Sequence, residues 1–109
     1  MLILFDHGTP KGLIRGLSGH AVATAQARGW DKLNNGLLLA AAEAAAFDLL
    51  LTTDRRMRYQ QNLAGRTIAI VALTGSTKWS RVRLHLERIT AVVTAVQPGS
   101  YTEINIPFD

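Results

Sequence analysis

The chain has no cysteine among its 109 residues. That absence excludes a disulfide framework and any thiolate metal site, and it suits a reducing, cytoplasmic setting. No apolar run approaches the roughly 20 residues that a membrane-spanning helix needs. The opening "MLILFDHGTP" has no basic segment ahead of its short apolar stretch and meets an aspartate at once, so neither a signal peptide nor a membrane span is expected. Repeats, low-complexity tracts and linker-like stretches are missing too. With 48% hydrophobic residues, the expectation is one domain over residues 1–109, since domains with one core cluster at roughly 100–150 residues.

Acidic residues are scarce, eight Asp and Glu against twelve Lys and Arg, for a net charge of +4. The basic residues are spread along the chain rather than gathered in a tail. Such an excess favours a polyanionic partner, nucleic acid or an acidic protein, and it also serves plain solubility.

What is present alternates between strands and helices. "MLILF" is a continuous apolar run bounded by Asp6, His7 and Gly8, the pattern of a strand buried on both faces. Thr9 and Pro10 read as a hydroxyl cap and a first helical residue, so Lys11 to Leu17 should be a short helix closed by Ser18 and Gly19. "HAVATA" reads as a second strand. "GLLLAAAEAAAFD" is rich in the strongest helix formers and carries only Glu43 as a charge before Asp48. "FDLLLTT" and "RTIAIVAL" are strands. "STKWSRVRLHLERITAVVTAV" is a long helix whose Trp79, Val82, Leu86, Ile89, Val93 and Val96 draw one apolar stripe. "PGSYTEINI" is a turn followed by an alternating edge strand, compatible with an antiparallel course. The fold class expected is α/β, a three-layer α/β/α sandwich around a mostly parallel sheet of four or five strands.

In open sheets of this kind ligands bind beyond the carboxyl ends of the strands. Asp6 follows the first strand and Asp54 the third, so both carboxylates should project from that edge. A hard divalent cation, Mg²⁺ or Mn²⁺, is a common way to stabilise two neighbouring carboxylates. The competing reading is that each aspartate caps its own turn. Arg55, Arg56 and Arg58 come next and have the fork geometry for phosphate, while Gln60, Gln61 and Asn62 offer donors and acceptors for bases or sugars. The same residues also suit a solvated basic turn. Lys78, Arg81, His85 and Arg88 form a basic ridge on the long helix, for RNA, an acidic partner or solvent. His7 is a candidate for supporting the aspartates, and His20 shows no ligand spacing.

The stretches "ILFDHGTP", "GHAVATAQARGW", "NNGLLLAAAEAAAFDLLLTTDRRMRYQQNLAGRTIAIVAL" and "PGSYTEINIP" resemble, in that order and over nearly the whole chain, small bacterial PIN-like proteins. The segment from Phe47 to Leu63 is the most specific part. The resemblance implies a PIN-like fold and a Mg²⁺- or Mn²⁺-dependent ribonuclease, often the toxin of a toxin-antitoxin pair with an antitoxin protein as partner, and often a homodimer. It places Asp6 and Asp54 at two of the family's acidic positions. At the head of the middle helix the family pattern is Asn-Gly-Glu-Leu-Leu, and here Leu37 occupies the acidic position. Glu43 is no substitute, because six residues along a helix shift a side chain by about 9 Å and roughly 240°. Asn34 or Asn35 could supply a weaker carbonyl ligand instead. Leu37 reads either as an inactivating change, natural or engineered, or as the mark of a lineage that kept binding without catalysis. Beside the nuclease therefore stand a catalytically silent RNA- or partner-binding module and a receiver-like phosphoacceptor domain, the latter with Thr74 after the fourth strand but no lysine after the fifth.

Overall fold

The computed structural model of the chain describes residues 1–57 and 65–109. Strands β1 (Leu2–Phe5), β2 (Ala21–Thr24), β3 (Leu49–Thr52), β4 (Ala69–Gly75) and β5 (Tyr101–Ile106) form one sheet in the order β2-β1-β3-β4-β5. All neighbouring pairs are parallel. β1 and β3 are central, and the pairing of Leu4 with Leu50 puts two fully buried leucines side by side. Such a strand must be apolar on both faces, which is why "LILF" and "LLLT" show no alternation.

Strand side chains point alternately to two cores. Ile3, Phe5, Leu49, Leu51 and Val71 face a layer containing the helical segment Lys11–Leu17, helix α2 (Trp79–Val82) and helix α3 (Leu86–Ala95). Leu4, Leu50 and Ile70 face helix α1 (Asn35–Ala44), which buries Leu38, Leu39 and Ala42. Burying each leucine contributes roughly 1.5–3 kcal/mol. The expected α/β/α sandwich is thus the observed architecture. No helix among the described residues is long and apolar enough to cross a membrane.

Four local expectations need correction. Lys11–Leu17 is a 3-10 helix, and Thr9 does not cap it. The Thr9 hydroxyl instead donates to the Leu51 carbonyl at 3.0 Å, and Gly12 and Gly16 inside the segment weaken an α-helical path. The glycines have a packing role: a methyl group on Gly12 would lie 2.6 Å from the Trp79 ring, and one on Gly16 would lie 3.2 Å from Leu86. The long helix is interrupted by a 3-10 turn at Arg83–His85, although Val82, Ile89 and Val93 all remain buried on one side. β4 begins at Ala69, three residues later than expected, with Glu43 bonded to Arg66 and to the Thr67 amide just ahead of it. β5 runs parallel to β4, since the α2–α3 crossover returns the chain to the starting end of the sheet.

Helix α1 ends in a Schellman arrangement. The Phe47 amide donates to Ala42 O and the Ala46 amide to Glu43 O, at 2.9 and 3.0 Å. The left-handed position that glycine usually fills is occupied by Ala46, with φ +65°.

Candidate functional site

From β1 the chain passes to β2 on one side and then crosses back to β3 on the other, so the strand order reverses between β1 and β3. Ligand crevices form outside the carboxyl ends of the strands at such a switch point. Asp6 directly follows β1, and Asp54 stands two residues beyond β3. Both line one open cavity of about 630 Å³ together with His7, Asp31, Asn35 and Arg56. That volume falls in the range of small-molecule sites, about 300–1,000 Å³.

The backbone around Asp6 is anchored to β3. The Asp6 amide donates to Leu51 O at 3.0 Å, and Thr9 N closes a turn on Asp6 O at 3.1 Å. Gly8 sits in that turn at φ +87°, a conformation that side-chain-bearing residues rarely adopt. On the carboxylate, Oδ1 accepts from the His7 amide at 2.8 Å and Oδ2 from the Thr52 hydroxyl at 2.7 Å. Support from His7 therefore comes through its backbone, and the residue also lines the cavity.

Thr52 also accepts from the Asp54 amide at 3.0 Å. One fully buried hydroxyl thus bridges the two aspartates. The sequence gives no sign of this, because Thr52 reads there as one more β-branched strand residue. Asp31 is a second residue missed: it lies in the turn before α1, has no periodic neighbours to draw notice, and adds a third acid to the cavity wall.

The Asp54 carboxylate accepts four hydrogen bonds from the described residues. Oδ1 accepts from the Arg56 amide at 2.9 Å and its Nε at 3.1 Å, while Oδ2 accepts from Arg56 Nη2 and Asn35 Nδ2, each at 3.2 Å. The Arg56 bonds hold the Asp54 carboxyl below its usual pKa; burial works against them, and Asn35 assists. Arg56, expected to reach toward phosphate, instead turns its guanidinium back onto Asp54. Arg55 is exposed on the same turn. Arg58, Gln60, Gln61 and Asn62 lie outside the described residues.

Asn34 caps α1 by accepting from the Leu37 amide at 2.9 Å, and Asn35 follows as the first helical residue. The amino end of α1, with its partial positive charge, thus adjoins the cavity. Leu37 is 56% exposed and is not one of the residues lining the cavity. Glu43 is engaged elsewhere, paired with Arg66 and accepting from the Thr67 amide and hydroxyl. The basic ridge does not reach the cavity, and Arg88 donates to Asn105 O at 2.9 Å.

Oxygen donors of hard character are available to a cation from Asp6 and Asp54, with Asp31 on the same cavity wall, whereas Asn35, expected to offer a carbonyl, turns its amide nitrogen toward Asp54. These carboxylates fit a Mg²⁺-like ion, which keeps several waters and uses one or two carboxylates plus substrate phosphate. Among the described residues no group of three His, Cys, Asp or Glu is arranged to hold a metal. No protein-family model, curated protein or solved structure matches the chain.

Proposed function

We propose that the chain is a PIN-like, Mg²⁺- or Mn²⁺-dependent ribonuclease centred on Asp6 and Asp54, impaired by the leucine at position 37. The observation that carries this reading is the convergence of Asp6 and Asp54 on one cavity at the switch point, bridged by the Thr52 hydroxyl. Asp6 and Asp54 would hold the cation, which would supply a hydroxide from bound water and screen the phosphodiester. Thr52 and the His7 amide orient the Asp6 carboxylate, and Arg55 with Arg56 provides positive charge for the RNA backbone. The toxin role, an antitoxin partner, a homodimeric working state and a cytoplasmic site of action belong to the same proposal.

A second reading, a silent module that binds RNA or a partner protein, is favoured by Leu37 and by the enclosure of Asp54 within its own hydrogen bonds. Cleavage of single-stranded RNA in Mn²⁺ by the wild type and by Leu37→Glu separates the two. Slow wild-type cleavage that the variant accelerates supports an impaired nuclease. Cleavage by the variant alone supports the silent module, and none by either removes the nuclease. A receiver-like reading finds less support, because β5 presents Asn105, not lysine, beside Thr74.

A further inference from the structure

An ionised carboxylate has about four acceptor positions on its two oxygens. Asp54 uses four and Asp6 uses two among the described residues. Two of the four on Asp54 are fixed by the fold: the Arg56 amide belongs to the turn, and Asn35 stands at the head of α1. The other two come from the guanidinium, one on each oxygen, as a fork. The Arg56 side chain is 76% exposed whereas that of Asp54 is 22% exposed. Arg56 can therefore swing into solvent, and its departure opens one position on each Asp54 oxygen.

Resting on the metal-site reading above, we infer that Arg56 is an intrachain counter-ion that a divalent cation displaces from Asp54. The freed guanidinium then holds a phosphodiester oxygen. A cation and a phosphodiester therefore bind with positive coupling, since each favours the state in which Arg56 has left Asp54, and such coupling is reciprocal.

The test uses the whole chain, with free Mn²⁺ followed by electron paramagnetic resonance in the presence and absence of dimethyl phosphate. Arg56→Gln should bind Mn²⁺ about threefold to tenfold more tightly than the wild type, the range of an exposed but bidentate ion pair. Dimethyl phosphate should tighten Mn²⁺ binding by the wild type and leave that of Arg56→Gln unchanged. Equal Mn²⁺ affinity in the two proteins, with Asp54→Asn weaker than both, overturns the counter-ion role and leaves the metal site standing. Tighter binding by Arg56→Gln without any phosphate effect in the wild type overturns the coupling. No binding by the wild type or Arg56→Gln, or equal binding by all three proteins, overturns the metal site and the inference with it.

Discussion

Thr52→Val tests whether the two aspartates are joined through a single hydroxyl. Valine keeps the shape of the side chain, so the fully buried position stays filled. What disappears is the donor to Asp6 Oδ2 and the acceptor for the Asp54 amide, at 2.7 and 3.0 Å. A hydrogen bond to a charged acceptor contributes about 1.5–3 kcal/mol, and a partly buried amide left unpaired costs about 1 kcal/mol more. With an unfolding entropy of about 2.1 cal/mol/K per residue, a loss of about 2.5–4 kcal/mol lowers the melting temperature of this chain by roughly 11–17 °C. Thr52→Ser keeps the hydroxyl and removes one methyl group, for about 1 kcal/mol. Thermal unfolding followed by circular dichroism at pH 7 ranks the three proteins. A valine variant within about 3 °C of the wild type, or above the serine variant, would refute the bridge.

Ala46→Gly should raise stability. The left-handed conformation costs a non-glycine residue about 1–2 kcal/mol, and glycine's extra freedom in the unfolded chain returns part of that. The net gain is about 0.5–1 kcal/mol, read as a rise of roughly 2–4 °C in melting temperature, and a fall would contradict the backbone assignment. Glu43 supplies a pH dependence. Burial pushes its carboxyl up, but the bonds from Arg66 and Thr67 prevail and hold it below the ordinary value of 4.5. Its contribution is therefore complete above that ordinary value and is lost as the pH falls through the lower folded one. Glu43→Gln should melt about 4 °C below the wild type at pH 7, for a partly exposed pair of about 1 kcal/mol, and the gap should narrow as the pH falls below 4.5. A gap that persists there would mean that Glu43 acts through packing rather than charge.

The order of elements was legible because strands buried on both faces leave continuous apolar runs, and β1 and β3 are such runs. Asp6 and Asp54 followed from that, since a carboxylate directly after a central strand has little choice but the carboxyl edge of the sheet. Local backbone detail was not legible. Ala46 gives no cue for a left-handed turn, as the Schellman bonds arise from where Phe47 must be buried. Thr9 satisfies every rule for a helix cap, yet a carbonyl on β3, distant in sequence, claims its hydroxyl. At the site, charge told where Arg56 lies but not which way it turns, because an arginine two residues beyond an aspartate can face solvent or fold back. Asp31 and Thr52 became visible only when tertiary structure brought residues distant in sequence to one cavity.

The Leu51 carbonyl, which accepts from both the Asp6 amide and the Thr9 hydroxyl, bears on how the site moves. Residues beside an open cavity commonly exchange their amide hydrogens with solvent through small local openings. The Asp6 amide is released only when the β1 end parts from β3, in the middle of the sheet. Its exchange should therefore belong to the slowest class in the molecule, at the rate of the central strands. The Asp6 side of the cavity then keeps its shape on the timescale of binding, and any adjustment to a ligand falls to the side that carries Arg56.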